Sequence, residues 1–352
     1  MGKGGATLDD PEAIAAGDPG RMLSLITDTA RQLLQGHEIG RAARWHGHAS
    51  GVVVCGMGGS GVAGDVLRSA FADRVMYPIA VSKGYGLPGF CDRNTVVIAV
   101  SYSGDTEETL EAYGEAIGRG CRTLAISSGG RLADLATRSG EAHARVPADV
   151  AVPRAALGYL VGAVLGSLDG VGLIEAEAEV TGTAELLEDL AARLGPAQPM
   201  RANEAKAVAS WLEGRTPVIW GTEGLAEAAA LRWKTQLNEN AKVPAFHSVL
   251  SELDHNEVEG WSRGAGEGHA VVVLRHEGEH PRIADRVAAT VEAVSDSGLE
   301  VREVWAEGDS PLSRLLSLIM VGDLASTYLA ILRGVDPTLV PVLTGLKARL
   351  SP

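Results

Sequence analysis

A chain of 352 residues, 45% hydrophobic and 22% charged, carries enough apolar material for two folded domains and is too apolar for a disordered protein. Its net charge of −14, with no long basic run to offset it, argues against a nucleic-acid or anionic-membrane surface. Any anion it binds must therefore be held by local donors.

Residues 1 to about 20, rich in Gly, Asp and Pro, are expected to be loose. They lack a signal-peptide core, and no uninterrupted run of 18 apolar residues follows. Arg21 to Leu34 has the spacing of one amphipathic helix packed on a first domain. Trp45 to Ser50 leads into VVVCGMGGSG, residues 52–61, a short β-branched run that ends in glycines. That pattern predicts a buried parallel strand, a tight loop able to bind an anion, and a helix from Gly61 to Phe71 whose positive end faces the same spot. Gly56, Gly58 and Gly61 also satisfy GxGxxG. A dinucleotide fold would need a carboxylate at the tip of the second strand, but that strand, about Val75 to Val81, runs into Ser82 and Lys83. A nicotinamide-linked oxidoreductase is thus disfavoured.

Strands at 95–101 and 122–127, helices at 106–119 and 131–138 and a short AHARVPA segment complete an alternation that implies a parallel sheet covered on both faces. Ligands of such sheets sit outside the carboxyl ends of the strands. There the second loop presents Ser101, Ser103 and Thr106 with Gly104 before a helix. Ser103 or Asp105 could simply cap that helix, with Glu107 or Glu108 completing a box, but capping accounts for one hydroxyl rather than three. Two hydroxyl-rich loops at one edge suggest a phosphate. Arg154, before the apolar helix 155–168, is either a solvated flank or an anion clamp.

An acidic helix at 175–194 and the turn-rich 195–203 lead to a second αβα pattern. It has helices at 204–213, 223–241, 281–297, 311–332 and 336–350, and strands at 216–221, 243–248, 270–275 and 300–306. The expected domains are a helical segment 1–44, a first α/β domain 45–174, a connection 175–203 and a second α/β domain 204–352. Glu239, near the end of its helix, and His255, in a dense polar run before Trp261, are the carboxylate and imidazole best suited to moving protons at neutral pH. Each has a plainer alternative, a solvated surface carboxylate and a loop histidine.

Three cysteines at unpatterned spacings, Cys55, Cys91 and Cys121, read as buried apolar residues of a reducing cytosol. Nine histidines without metal-site spacing suggest no metal, and no cofactor is expected. The expected location is cytoplasmic.

GMGGSGVAGD and SYSGDTEET, with PRAALGYL, QLNENAKVPAF, ELDHNEVEGW and GVDPTLVPVLTGLKARL, together resemble the bifunctional phosphoglucose/phosphomannose isomerases of the sugar isomerase (SIS) superfamily, over about residues 45–350. The resemblance implies two SIS-type αβα sandwiches with parallel sheets and interconversion of glucose 6-phosphate, and mannose 6-phosphate, with fructose 6-phosphate through a cis-enediol. It implies that Gly59, Ser60, Ser101, Ser103 and Thr106 bind the phosphate, that Arg154 stabilises the enediolate and that Glu239 moves the proton between C2 and C1. His255 would assist ring opening from the partner subunit of a homodimer with shared active sites, and Lys347 matches the family's C-terminal active-site lysine. One position departs: Val340 stands where the family places a threonine, seven residues before the lysine, with Thr338 and Thr344 out of register. A non-catalytic phosphosugar sensor would need the hydroxyl loops but neither Glu239 nor His255, and an isomerase of another phosphosugar is the nearer alternative.

Overall fold

The computed structural model describes residues 8–45, 49–262, 264 and 266–350. The lead-in at 45–50 lies partly outside them, as does the start of the N-terminal segment expected to be loose. From Asp10 that segment is ordered: Pro11 opens the helix Pro11–Gly17, and the Asp10 carboxylate accepts the N–H groups of Glu12 and Ala13. The stretch expected as one helix is two, Met22–Thr27 and Thr29–Ala42. Asp28, flanked by two threonines, interrupts it; its carboxylate accepts Arg31 Nε at 2.9 Å instead of capping. The chain divides into two compact units, with one boundary in this same stretch.

One unit comprises Thr27–Asp189 and Glu307–Ser317. Its strands are β1 (Gly51–Cys55), β2 (Ile79–Ser82), β3 (Thr95–Val100), β4 (Arg122–Ser127) and β5 (Ala142–Arg145), all parallel in the order β2-β1-β3-β4-β5. Every residue of β1 and β3 is buried, as a sheet covered on both faces requires. Cys55, Cys91 and Cys121 are free thiols buried in one apolar cluster with Val53 and Val97, and burial pushes the Cys55 thiol up to about 12. The helices Thr29–Ala42 and Leu157–Asp169 pack backbone to backbone: a Cβ on Gly162 would lie 2.2 Å from the Leu33 carbonyl oxygen, and one on Gly36 2.4 Å from that of Tyr159.

The other unit comprises the segment ending at Ile26, Leu190–Ala306 and the chain from Leu318. Its strands β6 (Thr216–Thr222), β7 (Phe246–Leu250), β8 (His269–Arg275) and β9 (Glu300–Trp305) form a second parallel sheet in the order β7-β6-β8-β9. Trp220, Val271 and Val273 fill its core with Ile283 and Val287 of the helix Pro281–Val294. The α/β architecture with two parallel sheets is therefore the one expected. β7 begins three residues later than its sequence pattern suggests, and the last helix begins at Pro341 rather than 336. Proline 337 interrupts any earlier start, and Pro341 serves as first helical residue because its missing N–H would be unsatisfied there.

The helix Pro311–Leu332 has the length and composition of a membrane span, but 94% of its apolar window is buried in the protein. Arg314 and Asp323 are its charged residues. Asp323 makes a bidentate pair with Arg232 of the helix Leu225–Glu239, Nε–Oδ1 at 3.0 Å and Nη2–Oδ2 at 2.7 Å. Both side chains are almost wholly shut from solvent.

Candidate active site

The glycine loop sits where β1 delivers it. Helix Gly58–Phe71 starts three residues before the expected Gly61, so Gly59 and Ser60 lie in its first turn, where N–H groups have no intrahelical acceptor. Gly58 takes the turn with φ of +52°, and a Cβ on Gly56 would come within 2.9 Å of the Val100 carbonyl oxygen of β3. Ser60 is buried, and its Oγ accepts the Tyr102 N–H at 3.2 Å. That bond joins the glycine loop to the hydroxyl loop at the carboxyl ends of neighbouring strands.

Within the hydroxyl loop, Ser101 Oγ and Thr106 Oγ1 are 2.9 Å apart, and the Gly104 N–H donates to Ser101 Oγ at 3.1 Å. The helix Glu107–Gly118 begins after Thr106, and neither Ser103 nor Asp105 caps it. Asp105 instead accepts the Arg131 N–H at 3.0 Å, while Ser103 is exposed and its Oγ accepts the Asp105 N–H at 3.3 Å. The hydroxyls are thus arranged around the loop rather than consumed by a cap. Gly104 holds φ at +78°, and a Cβ there would lie 1.9 Å from the Gly129 carbonyl oxygen. Gly104→Ala is expected to displace the loop at a cost of at least about 1 kcal/mol and to weaken inorganic phosphate binding. Thermal melting with phosphate titration by calorimetry checks both.

Arg154 lies in the turn Pro153–Ala155, which packs against the helix Gly58–Phe71. It is 5% exposed, which removes the solvated-flank alternative. The Arg154 turn and both loops belong to the same unit.

In the other unit, Glu239 is the last residue of the helix Leu225–Glu239 and is half-buried. Lys242, at φ +55°, folds its ammonium back onto the helix end, donating to the carbonyls of Glu239 at 2.7 Å, Asn240 at 3.1 Å and Asp336 at 2.7 Å. A cation at the negative end of the helix stabilises that end and fixes the backbone that carries Glu239. Glu239 and Lys242 line an open cleft of about 450 Å³ together with Val340 to Leu343. Val340, the departure from the family pattern, therefore faces the same cleft as the carboxylate. Thr344 donates to the Val340 carbonyl at 3.1 Å and Thr338 lies against Gly20, so neither replaces the missing hydroxyl. Lys347 is exposed one turn beyond Leu343, on the same helix face.

His255 ends the short turn Glu252–His255 and is exposed. Asp254 beside it accepts Arg286 Nη1 at 3.0 Å and Thr290 Oγ1 at 2.7 Å. On its other side Glu257 accepts the indole N–H groups of Trp220 and Trp261, each at 3.1 Å, and the Ser248 hydroxyl. The residues on either side of His255 are thus tied into the unit by their carboxylates. The sequence marked His255 by its dense polar run and Trp261, but not the bonds that Asp254 and Glu257 make beside it. Glu239 and His255 are not brought together within the chain. Parallel β6 and β7 are joined by Glu239's helix, which must return to the start of β7, whereas His255 follows the end of β7. Five strand residues, roughly 17 Å of extended chain, lie between those ends.

Among the described residues no three His, Cys, Asp or Glu side chains gather as metal ligands.

Comparison with known proteins gives the following. Residues 201–350 match the family described as the bacterial phospho-glucose isomerase C-terminal SIS domain. The chain is 37% identical to the bifunctional phosphoglucose/phosphomannose isomerase of Caldicellulosiruptor bescii over 336 residues, 94% of this chain and 99% of that protein. It is 38% identical to the Aquifex aeolicus protein of the same name, over 86% of this chain and 90% of the relative. In three dimensions it is similar to a hypothetical protein from Thermus thermophilus, with a TM-score of 0.71 at 18% identity, covering 96% of this chain and 93% of that one. At that identity the likeness speaks to the fold.

Proposed function

Because the chain belongs to the bifunctional phosphoglucose/phosphomannose isomerase family, we propose that it is an aldose–ketose isomerase interconverting glucose 6-phosphate, and more slowly mannose 6-phosphate, with fructose 6-phosphate. The observation that carries the reading is the Ser60–Tyr102 bond, which ties the glycine loop to the hydroxyl loop and makes one phosphate cradle at the sheet edge. Gly59, Ser60, Ser101, Ser103 and Thr106 hold the phosphate, and the binding energy positions the reacting carbons. Glu239 removes the proton from C2 and returns it to C1, while Arg154 stabilises the negative charge of the cis-enediolate oxygen. His255 protonates the ring oxygen as the ring opens, and Lys347 adds positive charge. Proton shuttling between adjacent carbons needs neither a redox cofactor nor a metal in this scheme.

The active form in this reading is a homodimer in which His255 serves the partner's site. Two features support it: the strand's length between Glu239 and His255, and the exposed apolar residues Leu339, Val342, Leu346 and Leu350 at the C-terminal helix. Three free buried thiols accord with a cytoplasmic location.

Fructose 6-phosphate formation from each aldose, measured with EDTA present, tests the reaction. Turnover of glucose 6-phosphate that survives chelation is expected, with mannose 6-phosphate slower because Val340 brings no hydroxyl to the cleft beside Glu239. Phosphosugar binding without turnover of either would replace the isomerase with a sensor.

A further inference from the structure

The edge that holds the proposed phosphate cradle carries one charged pair that the scheme above does not use. Lys83 follows directly on β2, whose last residue, Ser82, pairs with Cys55 at the end of β1. It occupies the strand tip where a dinucleotide fold would place its ribose-binding acid. Its side chain crosses the first turns of the glycine-loop helix: a Cβ on Gly61 would lie 3.2 Å from Lys83 Cε. The ammonium ends 2.5 Å from Asp65 Oδ2. Asp65 is buried on that helix, whereas the Lys83 side chain is 33% exposed.

A buried carboxylate next to an anion site repels the anion, so it demands a reason. The cradle's own donors are neutral hydroxyls and backbone N–H groups. Asp65 Oδ1 has Arg68 Nη2 no nearer than 3.9 Å, which leaves Lys83 as its close cation among the described residues. One bond to Asp65 uses one of the three ammonium donors; the stem is then fixed across Gly61, one residue from Ser60. We propose that Lys83, held by Asp65, supplies positive charge to the phosphate site and acts as a positioning residue for the phosphosugar. This rests on the phosphate reading of that edge. A side chain at Gly61 would meet the Gly56 carbonyl oxygen first, at 2.6 Å, and the lysine stem at 3.2 Å.

The test is inhibition of isomerisation by inorganic phosphate, with thermal melting to confirm folding. Lys83→Met is expected to raise the phosphate inhibition constant and the KM for glucose 6-phosphate by about tenfold, the scale of one partly screened charge, with kcat changed far less. Lys83→Arg should restore most of it. Asp65→Asn discriminates charge from scaffolding: it removes a negative charge beside the anion and is expected to leave phosphate inhibition equal or stronger. If Lys83 and Asp65 form only a structural brace, both substitutions weaken phosphate alike, and the proposal falls. An unchanged inhibition constant in Lys83→Met also overturns it. Failure of phosphate to inhibit the unmutated protein would instead remove the phosphate reading of the edge, and Lys83's role with it. Should Lys83→Met not fold, Lys83→Gln is read by the same inhibition.

Discussion

Glu239→Gln is expected to remove isomerisation of both sugars, lowering kcat by about 10²–10⁴-fold while inorganic phosphate affinity and thermal stability stay near those of the unmutated protein. The amide keeps the carboxylate's shape but cannot take a proton. The helix end it sits on is held by Lys242 through carbonyl oxygens, which the substitution leaves in place. A loss confined to KM would mean that Glu239 binds substrate without acting as the base. His255→Ala should also lose activity, through ring opening rather than proton transfer. It should therefore turn over the open-chain fraction of the sugar better than the cyclic form. Co-expressing the two variants is expected to restore activity in mixed dimers, because one of their two sites recovers both an intact carboxylate and an intact imidazole. No recovery would place both residues in a site made by a single chain, against their separation along β7.

Asp323→Ala is expected to destabilise the protein by about 3–5 kcal/mol, since it leaves the Arg232 guanidinium buried without its bidentate carboxylate. The melting temperature should fall by about 2–4 °C per kcal/mol. The double replacement Arg232→Met with Asp323→Leu is expected to recover most of the loss, because apolar residues of similar volume need no solvation. Arg232 lies two turns before Glu239 on the same helix. Activity in Asp323→Ala should accordingly fall together with stability, whereas Glu239→Gln should separate the two. Equal melting temperatures for Asp323→Ala and the unmutated protein would show that water reaches the pair.

Much of the architecture was legible in order along the chain. The strands β1, β3, β4 and β8 were readable because short apolar runs fully buried in parallel sheets differ from everything around them. The glycine loop and the hydroxyl loop were readable because a strand that ends in glycines or serines before a helix is a local pattern. Glu239 and His255 could be singled out from their polar surroundings and from the family resemblance, but their separation could not be seen.

By itself, then, the sequence determined the alternation that makes two parallel sheets, the glycine-rich and hydroxyl-rich loops at strand ends, and the family. Only the tertiary structure decided which of these groups share an edge. It set Arg154 in the interior, paired Arg232 with Asp323 across 91 residues, and tied Glu257 to Trp220 and Asp254 to Arg286 on either side of His255. It also divided the helix expected from Arg21 to Leu34 and started the hydroxyl-loop helix after Thr106 with no cap from Ser103 or Asp105. The physical reason is range. Propensity, turn chemistry and apolar period act between neighbours a few residues apart, whereas burial of a charge is decided by partners that the fold brings from far along the chain.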